Sequence, residues 1–87
     1  MGPKVRVVLY TKPNCGLCEE MKAQMAEAGV DELYELEEFD IENDPDLFAK
    51  YRFEIPVLHI NDVEAFRHRL VAEEFRAYIT SLMQGEE

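Results

Sequence analysis

An apolar run, Val5-Arg6-Val7-Val8-Leu9-Tyr10, stops at Thr11-Lys12-Pro13-Asn14, and a pair of cysteines, Cys15 and Cys18, opens the next segment. No other feature of the chain restricts its fold as much. The run is too short for a helix and rich in β-branched residues, so it predicts a buried strand entering a turn. Beyond it, Leu17, Met21, Met25 and Ala28 recur at spacings of four, four and three, with Glu19, Glu20, Lys22 and Glu27 between them and Gly29 as a stop. That spacing predicts an amphipathic helix from Cys15 to Ala28. Asn14 stands where an N-cap is expected, with Thr11 or the turn backbone as alternatives. The cysteines are thereby placed at the start of a helix that follows a buried strand.

The remaining segments read in order. Tyr34, Leu36, Phe39 and Ile41 predict a second strand whose phase slips at Glu37-Glu38, which calls for a bulge or an edge position. Asn43-Asp44-Pro45-Asp46 is a helix start, with a capping Asp and Pro at the first helical position, and Leu47, Phe48 and Tyr51 supply the apolar face of a helix ending near Arg52. Ile55 to Ile60 predicts a third strand opening at a proline, Asn61-Asp62 a tight turn, and Val63 to Phe66 an antiparallel return. Val71, Phe75, Tyr78, Ile79 and Leu82 mark a closing helix, and Gln84 to Glu87 an acidic, frayed tail. The expectation is a single domain over residues 1–87 of α/β class: a mixed four-stranded sheet with three helices, in the order β-α-β-α-β-β-α. Tyr10, Met21, Phe48, Phe75 and Tyr78 are expected in the core.

Charge narrows the functional classes. The formal net charge of −10 opposes binding to phosphate backbones and anionic membranes, so neither nucleic acid nor a membrane is expected as a partner. Val7-Val8-Leu9-Tyr10 is far short of a bilayer span, and Met1-Gly2-Pro3-Lys4 lacks the apolar run of a secretion signal, so a cytoplasmic monomer is expected. In that compartment two cysteines point to catalysis, redox exchange or metal binding rather than to a structural staple.

A bare Cys-X-X-Cys serves zinc, iron–sulfur and redox sites alike. At a helix N-terminus, however, the sulfur of Cys15 meets unpaired N–H groups and the positive end of the helix dipole, which favours the thiolate. Cys18, on the same side of the first turn and more deeply placed, suits a resolving thiol. The expected cycle is attack by Cys15 on a partner disulfide, followed by attack of Cys18 on the mixed disulfide. The step needs no cofactor. Lys12 adds positive charge near Cys15, and Glu19 and Glu20 oppose it. A zinc set completed by His59 and His68 has unsuitable spacing; the rival class is a metal or iron–sulfur carrier with Cys15 as ligand alongside external thiols.

Ile55-Pro56 heads the third strand. It is either a cis bond, which would turn the Ile55 backbone toward a substrate, or an ordinary trans proline. Here the chain resembles a known family. Tyr10-Thr11-Lys12-Pro13-Asn14-Cys15-Gly16-Leu17-Cys18 is similar to the active-site segment of glutaredoxin-like members of the thioredoxin superfamily, and Ile55-Pro56-Val57-Leu58 to their cis-proline strand. The resemblance spans nearly the whole chain. It implies a thioredoxin-like fold and thiol–disulfide oxidoreductase activity on protein or small-molecule disulfides. It also implies Cys15 as nucleophile, Cys18 as resolving cysteine, Pro56 cis beside the disulfide, and Lys12 as a contact for the carboxylate of glutathione. Recharging by glutathione, as co-substrate, or by a thioredoxin-reductase-type donor follows from the same resemblance. Two features depart from the pattern: Gly16-Leu17 separates the cysteines, and Phe66-Arg67-His68-Arg69-Leu70 stands where glutathione-binding members carry Gly-Gly and an acidic residue.

Two histidines remain. His59, inside a strand, is expected to be structural. His68, with Arg67 and Arg69, forms a basic patch that is either a solvated loop or a holder of an anionic substrate or acidic partner. Glu35, Glu37, Glu38 and Asp40 are expected on a solvated strand face.

Overall fold

The structure, a computed structural model, describes residues 4–84. The first three residues and residues 85–87 of the expected tail lie outside the described residues; Gln84, expected in that tail, is the last residue of the closing helix. The elements are β1 (Val5–Thr11), α1 (Gly16–Glu27), β2 (Tyr34–Asp40), α2 (Pro45–Tyr51), β3 (Val57–Ile60), β4 (Val63–Arg67) and α3 (Ala72–Gln84), with single 3-10 turns at Asp31–Leu33 and Ile41–Asn43. This is the expected order.

The sheet runs β2-β1-β3-β4. β1 and β2 are parallel, joined by the crossover through α1, whereas β1 pairs antiparallel with β3 and β3 with β4. β2 therefore occupies an edge, and its register against β1 is unbroken from Val5 opposite Tyr34 to Thr11 opposite Asp40. The edge position, not a bulge, accounts for its irregular pattern: with one neighbouring strand, Leu36 and Phe39 stay exposed beside Glu35, Glu37 and Glu38. The irregularity in the sheet falls instead between β3 and β4, where the register shifts after Leu58.

Local chemistry sets each boundary. Gly29, at φ +73°, takes the left-handed conformation that ends α1 and would strain an L side chain. The Asp44 carboxylate accepts the N–H groups of Asp46 at 2.9 Å and Leu47 at 3.2 Å, capping α2 with Pro45 in its first turn. Asn61 and Asp62, both at positive φ, form the β3–β4 turn, matching the primed turns that suit the twist of a hairpin.

Two apolar clusters hold the layers together. The larger joins β1 and β3 to α1 and α3 through residues such as Leu9, Met21, Met25, Leu58, Phe75 and Ile79. The smaller gathers Cys18, Ile41, Tyr51, Ile55 and Val57, with Tyr10, Cys15, Leu47 and Phe48 partly buried against it. Met21 and Phe75 are fully buried as expected, while Tyr10, Phe48 and Tyr78 are only half-buried. Leu17 and Val71, expected on apolar helix faces, are 44% and 52% exposed. Leu17 lies in the first turn of α1, and Val71 immediately precedes α3.

Candidate active site

β1 delivers the chain to a turn in which Asn14 takes φ +61°, a conformation Asn tolerates better than most residues. Asn14 does not cap the helix. The N-cap is Cys15 itself, with extended backbone, and its Sγ accepts the N–H of Cys18 at 3.1 Å. The sulfur thus takes the place of a capping oxygen at the positive end of a helix of 12 residues. Hydrogen bonds to an ionised acceptor are stronger than neutral ones, so this arrangement favours the reduced sulfur as thiolate.

Cys15 and Cys18 form a disulfide, their Cα atoms 5.3 Å apart. The two sulfurs differ in access: Cys18 is 1% exposed inside the smaller cluster, and Cys15 is half-buried at its rim. Only Cys15 is open to an incoming disulfide. Glu19 in the first turn, which sequence alone could not sign, has its carboxylate 3.2 Å from Lys22, which also binds Glu38 at 3.2 Å. Glu38 first, then Glu19, holds the Lys22 ammonium above its ordinary value. Part of the negative charge near Cys15 is thereby offset.

The Ile55–Pro56 bond is cis, and both side chains are buried. The backbone here is less open than the sequence reading supposed. The Ile55 N–H donates to the Tyr51 carbonyl at 3.1 Å, continuing the end of α2, and the Pro56 carbonyl accepts the His68 N–H at 2.7 Å. Lys12 lies in a cleft of about 290 Å³ with Thr11, Asn14, Lys22, Glu38 and Asp40. It has no ion-pair partner among the described residues.

His59 packs against Tyr51 and Tyr10 of the smaller cluster. Its Nε2 lies 3.3 Å from the Tyr51 hydroxyl, and its ring meets Tyr10 edge-on at 5.1 Å between centroids. Burial lowers its pKa below the ordinary histidine value, with the Glu64 carboxylate pulling the other way. Because the folded value is depressed, the unfolded chain binds the proton first, so stability is complete above the unfolded value and falls as pH drops through 6.5. Urea unfolding at pH 7 and pH 5 should show that decline reduced in His59→Gln; an identical decline in both proteins would exclude the His59 contribution.

The basic run divides. Arg67 bridges Glu64, at 2.7 and 2.8 Å, and Glu54, at 3.0 Å, while His68 Nε2 lies 3.3 Å from Glu54. This three-way tie fastens β4 to the residues just before Ile55-Pro56. Nothing in local sequence marks it, because Glu54 and Arg67 are thirteen positions apart. Arg69 instead lines a groove of about 460 Å³ between α1 and the β4–α3 connection. No group of three or more His, Cys, Asp or Glu residues arranged to hold a metal ion occurs among the described residues, and none of the described helices is long and apolar enough to cross a membrane.

The arrangement is that of a thioredoxin-like fold, and solved structures share it. A protein from X. campestris superposes with TM-score 0.73 at 23% identity, over 86% of this chain and 96% of that one. Protein Ne2328 from Nitrosomonas europaea gives TM-score 0.73 at 29% identity, over 90% of this chain and 94% of that one. A chloroplastic thioredoxin z gives TM-score 0.70 at 19% identity, over 94% and 80%. No curated protein sequence matches. The family model described as Glutaredoxin-like domain (DUF836) matches residues 6–80. With the cysteine pair, the cis-proline strand and the sheet order all in place within that span, the chain belongs to the glutaredoxin-like domain family of the thioredoxin superfamily.

Proposed function

We propose that the protein is a thiol–disulfide oxidoreductase that reduces disulfides with Cys15 as nucleophile and Cys18 as resolving thiol. One observation carries this reading: the accessible sulfur of the pair accepts a backbone N–H at a helix N-terminus, and its partner sulfur is buried. In the reduced protein the Cys15 thiolate attacks one sulfur of the substrate, forming a mixed disulfide and expelling the other sulfur as a thiolate. Cys18 then loses its proton and attacks Cys15 Sγ, closing the protein disulfide and releasing the second substrate thiolate. Two electrons pass to the substrate, and its two thiolates take up the proton lost by Cys18 and one from solvent, the equivalent of the proton released when Cys15 ionised. A thiol donor, glutathione or a reductase, reverses the protein's oxidation.

Substrates are protein or small-molecule disulfides, bound over the cis Ile55-Pro56 segment that leads into β3. Lys12 is positioned in an open cleft beside the turn and is the candidate contact for a substrate carboxylate. Alkylation tests the central claim. In reduced Cys18→Ser, which leaves Cys15 as the one thiol, the iodoacetamide rate should follow a midpoint within ~3.5–7.5 rather than near ~8.5. A midpoint equal to that of an unstructured peptide carrying the same single cysteine would exclude an activated nucleophile.

A further inference from the structure

Arg67, His68 and Arg69 are the densest basic run in a chain of net charge −10, yet the fold treats them differently. Arg67 is engaged on two sides by Glu64 and Glu54. Arg69 is exposed, with no carboxylate within ion-pair distance among the described residues. It stands on one wall of the groove with His68 and Val71; Leu17 and Glu20 of α1 form the other. Met21 and Leu70, both buried, lie at its base.

This groove is built rather than incidental. Gln24 Oε1 on α1 accepts the N–H of Ala72, the first residue of α3, at 3.0 Å, so the two walls are fixed to each other. Leu17, the residue before Cys18, lines one wall, and His68 on the other wall donates its N–H to the Pro56 carbonyl at 2.7 Å, so both walls adjoin the segments that carry the disulfide and the cis-proline. The exposed side chains of Leu17 and Val71 offer apolar contact across it.

We infer, building on the oxidoreductase reading, that this groove receives the polypeptide flanking the disulfide of a protein substrate, and that Arg69 selects a carboxylate next to the target cysteine. An apolar side chain of that substrate lies between Leu17 and Val71. Glu20 on the opposite wall repels an acid placed there, so the carboxylate faces the β4–α3 wall. The net charge of the protein acts in the other sense, against an acidic partner as a whole. The two effects separate by distance: at physiological salt the general field is screened beyond ~8 Å, whereas a guanidinium–carboxylate contact is not. The substrate is therefore a protein of neutral or basic surface with an acidic residue beside its reactive cysteine.

Two peptide disulfides of equal length test this, one with Asp and one with Lys beside the cysteine, both followed by Leu. Each carries an aryl thiol whose release is followed by absorbance, and glutathione disulfide is run in parallel. For the wild type, kcat/KM should favour the Asp peptide about fivefold, near the upper end for a solvent-exposed ion pair. The ratio should fall to one or below in Arg69→Ala, where Glu20 remains on the opposite wall, and invert further in Arg69→Glu. Because each ratio is taken within one variant, a general loss of activity does not alter it. A ratio unchanged in Arg69→Glu overturns selection by Arg69 and leaves the dithiol chemistry standing. Turnover of glutathione disulfide without either peptide overturns the protein-substrate assignment. If the wild type turns over none of the three, the oxidoreductase reading fails and this inference with it.

Discussion

Replacing Cys15 with serine is expected to lower disulfide turnover by roughly three orders of magnitude or more, to the background rate, because a hydroxyl can neither ionise at neutral pH nor form the mixed disulfide. The buried partner cannot substitute for it: Cys18 is 1% exposed, and its place in the apolar cluster disfavours a thiolate. Cys18→Ser should behave differently. With Cys15 still accessible, the first attack proceeds and the protein accumulates as a stoichiometric mixed disulfide, visible as added mass and released by an external thiol. Retention of more than about a tenth of wild-type turnover by Cys15→Ser would show that the order of the two thiols is wrong.

The second large effect concerns stability. Phe75→Ala should cost about 3–5 kcal/mol, the usual range for removing a fully buried aromatic ring. Phe75 is completely buried on α3, meets Tyr34 edge-on at 5.3 Å and lies 6.5 Å from Phe66, so it joins the helix to strands at both edges of the sheet. A chain of 87 residues has on the order of 4–13 kcal/mol of stability in total. The melting temperature followed by circular dichroism should therefore drop by about 15 °C or more. A drop under about 5 °C would mean that α3 is not anchored through this ring.

Much of this molecule was legible beforehand because its signals are local. The apolar run into Thr11-Lys12-Pro13-Asn14, the four-four-three spacing after Cys15, the Asp44-Pro45 start and the Asn61-Asp62 turn each act over a few residues, and each element lies where they predict. The edge position of β2 was one of two readings of Glu37-Glu38, and its single neighbouring strand selects it. Other features were not legible. Asn14 has the chemistry of a cap, but its positive φ removes it from that role and the sulfur of Cys15 takes over. Leu17 and Val71 fit helical periodicity yet are exposed, because they line the open groove between α1 and the β4–α3 connection, which periodicity does not reveal. The engagement of the Ile55 N–H by Tyr51 arises because the turn after α2 folds back on the helix end, so the Tyr51 carbonyl accepts from both Glu54 and Ile55.

The amino-acid order alone determined the succession of elements and the seat of the reactive pair, since side-chain periodicity and turn chemistry depend on near neighbours. Only the tertiary structure decided how completely the expected resolving sulfur is enclosed, and which arginine is tied down and which faces the groove. Those outcomes rest on contacts between segments far apart in the chain, such as Glu54 with Arg67 and Gln24 with Ala72, and no short stretch of sequence encodes them.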